Sequence, residues 1–124
     1  MTKIYLIRHA EAEGNLYRRI QGHWDGSITA LGLQQIDALA QRFRHEHIDA
    51  LYCSNLSRAR VTAEAITRYH DVPAVATPRL AEICMGVWEG RAWGDVEHEF
   101  PEQMRYFNTD PEKWSVPGGE PIRE

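Results

Sequence analysis

The spacing of apolar residues changes along the chain. Ile4 to Ile7 is a continuous apolar run rich in strand formers, closed at once by polar residues and then by Gly14 and Asn15. It predicts a buried strand opening into a loop, with Arg8 and His9 at its carboxyl end. From Thr29, a good N-cap, Ile36, Leu39, Ala40 and Phe43 recur at helical spacing and predict a helix of roughly four turns with one apolar face. Ile48 to Cys53 is again strand-like. Ser57 is read as the N-cap of a second helix, carrying Ala59, Ala63, Ile66 and Tyr69 up to a turn at Asp71 to Pro73. Val75 to Thr77 makes a third short strand.

Strand, helix, strand, helix, strand predicts an α/β fold with a parallel-type sheet flanked by helices, because parallel neighbours need a crossover and the crossover is usually a helix. Ligands of such sheets bind at the carboxyl ends of the strands. Beyond Arg79 the pattern loosens. Gly86, Gly90 and Gly94 interleave with Trp88 and Trp93 in what reads as a loop, and two short helical pieces flank Pro101. Ser115 to Glu120 is a further loop. Pro121 then stands where a helix places its first residue, with acidic residues around it, so a helix is expected to continue past Glu124 and the natural chain to be longer.

Length and composition narrow the classes. The 124 residues suit one domain, residues 1–124, incomplete at its carboxyl end; 43% hydrophobic and 26% charged residues make a globular profile. The formal net charge of -4 and the scattered Lys and Arg make nucleic acid a poor partner. The Ile4 to Ile7 run is too short for a membrane span or a signal-peptide core, so a cytoplasmic protein without membrane association is expected. Cys53 and Cys84 form neither a CxxC pair nor a zinc-type spacing and read as buried thiols. Oligomeric state is left open.

Chemistry concentrates at two strand ends. Arg8 and His9 set a fixed cation beside an imidazole at the mouth of the first strand. Arg58 and Arg60 start the helix after the second, where Arg58 and the free N–H groups of the first helical turn would face the same anion. Bidentate guanidinium groups favour phosphate over carboxylate. A lone histidine is more often a hydrogen-bonded core residue than a catalyst, and a lone arginine more often a surface ion pair; placement at two strand ends is what sets these apart.

Arg8-His9-Ala10-Glu11, then Asn15, Gln21-Gly22, Asp25, Leu31-Gly32 and Gln35, resemble the opening signature of the histidine phosphatase (phosphoglycerate mutase-like) superfamily. The stretch from Ser54 to Ala63, containing Arg58 and Thr62, resembles its second signature. The stretch from Leu80 to Gly90, with Glu82 and Trp88-Glu89-Gly90, resembles its third, and Pro117 to Glu120 a fourth. The resemblance implies a phosphoglycerate mutase-like fold and a phosphohistidine intermediate on His9, whose second ring nitrogen donates to a carbonyl. It implies that Arg8 and Arg58 clamp the phosphoryl oxygens, that Asn15, Gln21 and Gly22 help bind phosphate, and that a partly buried, protonated Glu82 is the general acid for the leaving alcohol. No metal and no cofactor is implied, and the substrate is a small-molecule phosphate ester.

Two departures stand out. Ala10 replaces the family's usual glycine, a small change expected to be tolerated. Family members also carry a second histidine near the nucleophile toward the carboxyl terminus, which His23, His45, His47, His70 and His98 do not match. The tract from Gly86 to Gly90 favours the phosphatase branch. Alternatives are phosphoglycerate mutase-type phosphoryl transfer and an inactive phosphate-binding fragment lacking that second histidine. Trp24, Trp88, Trp93 and Tyr106 are open to two readings, pocket lining or core. A cysteine phosphatase needs C-x5-R, and Cys53 to Arg58 is C-x4-R. The His45 and His47 pair lacks the spacing and the third ligand of a metal site.

Overall fold

A computed structural model describes residues 1–122; Arg123 and Glu124, onto which the expected terminal helix would run, lie outside the described residues. Two strands, β1 (Leu51–Ser54) and β2 (Ala74–Thr77), pair in parallel from Leu51 opposite Ala74 to Ser54 opposite Thr77. The helix α3 (Ser57–Thr67) makes the crossover between them, as parallel pairing requires. Antecedent to these in the chain are a one-turn helix, α1 (Glu13–Leu16), and α2 (Ala30–Phe43). Thr29 caps α2 as expected, its hydroxyl accepting the Gly32 N–H at 3.1 Å.

The helices α2 and α3 pack through small residues. Ala10, Ile36, Ala40 and Ala65 form one buried cluster, with Leu39 and Val61 against it. A second cluster fills the other end of the molecule. There α4 (Trp93–Glu99) and α5 (Pro101–Thr109), broken by Pro101 as the sequence indicated, enclose Trp88, Ile20, Met85, Val96, Met104, Trp114 and Val116. Trp88 is 0% exposed and meets Trp114 and Phe107 edge-on, with ring centres 5.5 and 5.9 Å apart. Trp88 is therefore core. Trp24 is half-buried near the site described below, while Trp93 and Tyr106 flank the second cluster.

Several expectations need correction. Ile4 to Ile7 belongs to no strand, and it is not buried: Ile4 is 83% and Leu6 98% exposed. A strand exists only through a ladder partner, and the apolar run finds none among the described residues. What holds the segment is Tyr5, edge-on to Phe43 with its hydroxyl donating to Glu46 at 2.8 Å. The strand predicted from Ile48 starts only at Leu51. Ser57 is the first residue of α3 and not its cap; Leu56 holds that position with no side-chain acceptor, and the helix stops at Thr67, short of Tyr69. Cys53 is buried but Cys84 is only half-buried, and both are free thiols.

Candidate active site

Arg8, His9, Arg58 and Glu82 all line one cleft of about 410 Å³ between residues 5–9, Leu39 of α2, β1, α3 from Arg58 to Ile66 and residues 80–82. The sheet supplies this arrangement by ending β1 at Ser54, with two residues between it and α3, so that Arg58 is the second residue of the helix.

His9 is fixed by its own backbone neighbour. Its Nδ1 lies 2.7 Å from the Ala10 carbonyl, which can only accept, so Nδ1 carries the proton and Nε2 keeps its lone pair. Burial pushes the imidazole below its ordinary value, and the positive charges of Arg58 and Arg8 push the same way; the Ala10 carbonyl and the Glu82 charge oppose them. A neutral ring results, as a nucleophilic nitrogen requires.

The loop bearing His9 is tied to both helices. The Ala10 N–H donates to the Thr62 hydroxyl at 2.9 Å, and that hydroxyl donates to the Arg58 carbonyl at 2.7 Å, so one buried side chain connects the nucleophile's loop to the turn of α3 that carries Arg58. On the α2 side, the Glu11 N–H donates to Gln35 Oε1 at 2.8 Å, and the Thr29 hydroxyl to the Glu11 carboxylate at 2.6 Å. Gly32 lets the backbones approach this closely, since a Cβ there would overlap the Glu11 carbonyl. Ala10, in place of glycine, packs its methyl into the buried cluster with Ile36, Ala40 and Ala65.

Arg58 is 3% exposed. Its Nη2 donates to the Gly22 carbonyl at 2.6 Å and its Nη1 to the Trp24 carbonyl at 3.0 Å, so the 22–25 loop grips one side of the guanidinium. Burial pulls its proton affinity down, and Asp25 first, then Glu82 and Glu89, pull it back up. The expected free N–H groups at the start of α3 are not free. Asp25 accepts from the Ser57 N–H at 2.6 Å and the Arg58 N–H at 3.4 Å, capping from another loop a helix whose own N-cap is an apolar leucine.

Glu82 is exposed, not partly buried as expected, and its Oε1 accepts the adjacent Ile83 N–H at 3.1 Å. Its backbone is steadied by His23, whose Nε2 lies 2.8 Å from the Glu82 carbonyl. Asn15, Gln21 and Gly22 do not line the cleft. Asn15 turns its Oδ1 to the Ala12 N–H at 3.0 Å and caps α1, Gln21 packs over Gly14, and Gly22 reaches the site through its carbonyl on Arg58. None of His23, His45, His47, His70 and His98 lines the cleft either. Cys53 lines it, but burial raises its thiol above the ordinary value, against a thiolate nucleophile.

Asp25, Thr62 and Glu89 lie within the motif stretches, but the sequence assigns them no role. The sequence carried no signal for Asp25, because Ser57 reads as a cap of its own; the need for an outside acceptor shows only once α3 starts at Ser57 with Leu56 before it. Glu89 Oε1 accepts the His23 and Met85 N–H groups at 2.8 and 2.9 Å, joining the loop that grips Arg58 to the loop that carries Glu82. Gly22, at φ +52°, has no room for a Cβ beside Glu89.

Residues 4–124 match the family model of the histidine phosphatase superfamily (branch 1). The chain is 35% identical to phosphoserine phosphatase 1 of Hydrogenobacter thermophilus over 122 residues, 98% of this chain and 58% of that protein. It is also 35% identical over 124 residues to the protein named Probable phosphoglycerate mutase GpmB of Yersinia pestis, 100% of this chain and 58% of that one. The solved structure of YhfR from Bacillus stearothermophilus superposes with a TM-score of 0.84 at 32% identity, covering 91% of this chain and 56% of that one. The chain thus spans somewhat over half the length of these relatives.

Proposed function

The chain belongs to the histidine phosphatase superfamily (branch 1), and from that premise we propose that it serves the hydrolysis of a small phosphomonoester through a phosphohistidine formed on His9. The observation that carries the reading is the Nδ1 contact to the Ala10 carbonyl, which leaves a neutral ring with its Nε2 lone pair in a cleft shared with Arg8, Arg58 and Glu82.

In the first step Nε2 bonds to phosphorus as the bond to the leaving oxygen breaks, and the Glu82 carboxyl hands its proton to that oxygen. In the second, water attacks the phosphohistidine, Glu82 takes the proton back from the water, and inorganic phosphate departs with the histidine restored. Arg58 is held by backbone carbonyls on one side only, which leaves donors of its five-donor fork for the phosphoryl oxygens; Arg8, exposed at the cleft, adds a second positive charge. Asn15 has its Oδ1 engaged and its amide N–H groups available to a phosphoryl oxygen that approaches α1. The two free cysteines fit a reducing, cytoplasmic setting.

Hydrolysis of an aryl phosphate in chelator tests the reading, with His9→Ala alongside. Turnover lost in the variant is expected. Because burial and two arginines lower the His9 affinity for protons, activity should persist on acidification below the ordinary histidine value of about 6.5 before protonation of Nε2 removes it. Equal turnover by His9→Ala would reject His9 as the nucleophile.

A further inference from the structure

We infer that Asp25 is a positioning residue for Arg58: its carboxylate locks the guanidinium in the orientation that presents its free edge to the cleft, and it does so by charge pairing as well as by capping α3.

The inference rests on the reading that Arg58 holds a phosphoryl group. Arg58 is a buried cation, and a buried cation without a counter-charge is costly. The two carbonyls that hold its Nη atoms supply dipoles but no charge. The Asp25 carboxylate supplies the charge, 3.6 Å from Nη1, on a side chain that is itself only 28% exposed. The other acidic side chains that act on Arg58 are Glu82, in the cleft, and Glu89, whose Oε1 is occupied by two backbone N–H groups. Glu82 has its own work in the reaction, and Asp25 is the carboxylate that stands within ion-pair distance of the resting guanidinium.

The same carboxylate closes the amino terminus of α3. The Ser57 and Arg58 N–H groups point at Asp25. A helix start of this kind is where an anion would settle, and the Asp25 carboxylate already occupies it. Asp25 therefore leaves Arg58, and not the helix end, as the anion's partner. Glu89 extends the hold, since it ties the His23 N–H, two residues before Asp25, to the Met85 N–H beside the Glu82 loop.

Capping and pairing can be separated. Asp25→Asn keeps an amide oxygen for the short bond from the Ser57 N–H, gives up the longer 3.4 Å contact to the Arg58 N–H because its other terminal atom is an NH2 group, and removes the charge. Ser57→Pro does the reverse: it deletes the capped N–H, and the site accepts proline because Leu56 is already extended at φ -70°, ψ 143° and Ser57 is the first helical residue.

The readout is the Arg58 side-chain Nε–H resonance in ¹⁵N-labelled protein, assigned by its absence in Arg58→Lys, with orthovanadate as the phosphate probe. Wild type should give a slowly exchanging signal that vanadate shifts. Asp25→Asn should stay folded while its Arg58 N–H exchanges about tenfold faster or more, as expected when a buried cation loses its counter-charge, and Ser57→Pro should keep the slow exchange. An Arg58 signal unchanged in Asp25→Asn, or loosened equally in Ser57→Pro, overturns the pairing role. Vanadate that leaves the wild-type Arg58 signal unmoved overturns instead the phosphate reading on which the role depends. Should Asp25→Asn fail to fold, the Ser57→Pro outcome alone decides: retained slow exchange supports the pair, and its loss rejects it.

Discussion

The two ends of this molecule are held together in opposite ways. Around Trp88, three loops and two short helices close over large aromatic rings, and Trp88 at the centre is fully buried. Around the sheet, regular elements dominate but burial is thin: the buried cluster between α2 and α3 is three alanines and one isoleucine, with partly buried Leu39 and Val61 against it, while β2 is almost entirely exposed and Tyr52 of β1 faces solvent. Regular secondary structure and stable core do not coincide here. Burial of large apolar groups is what stabilises, and the irregular half has more of it. The cleft that holds His9 lies in the sheet half, so the candidate chemistry sits on the less buried side, braced by the hydrogen bonds of Thr62, Gln35 and Asp25 in place of bulk packing.

Truncating each half would sharpen this contrast. Trp88→Ala should cost about 3–5 kcal/mol, the range for a large aromatic in a closed core, and denaturant melts should show loss of most of the protein's stability. A loss under about 1 kcal/mol would mean that the Trp88 cluster is not the main core. At the other extreme, Leu6→Ser should change stability by no more than about 0.5 kcal/mol, as expected of a side chain already in water. It should also raise the concentration at which the chain begins to associate, because it removes one of the exposed apolar groups beside an open strand edge. A large destabilisation by Leu6→Ser would show that the segment is packed after all and break the comparison on its weak side.

How much of this was legible in the sequence follows from where each interaction is encoded. Local signals were reliable: Thr29 as a cap, the period of Ile36, Ala40 and Phe43, the break at Pro101, and the parallel crossover are all written within a few residues of where they act. The strand at Ile4 to Ile7 failed because strandness depends on a partner, and no partner is encoded in the run itself. At the site, the grouping of Arg8, His9, Arg58 and Glu82 was anticipated from strand ends and motif resemblance, and the ring-nitrogen contact of His9 to a carbonyl appears as implied. Missed were the long-range braces. Asp25 caps a helix 32 positions away, and Thr62 reaches Ala10 across 52. Spacing along a chain says nothing about such pairs until the fold brings them together, and the exposure of Glu82 is of the same kind.

Hydrolysis through a phosphohistidine requires that phosphorus become bonded to His9. Rapid quench of the chain with a labelled aryl phosphate into alkali, followed by peptide mass mapping, tests it most directly, because a phosphoryl group on an imidazole survives alkali and is lost in acid. The label is expected on the peptide containing His9, absent from His9→Ala and reduced in Arg58→Lys. Label on any other residue, or label that persists in His9→Ala, would contradict it.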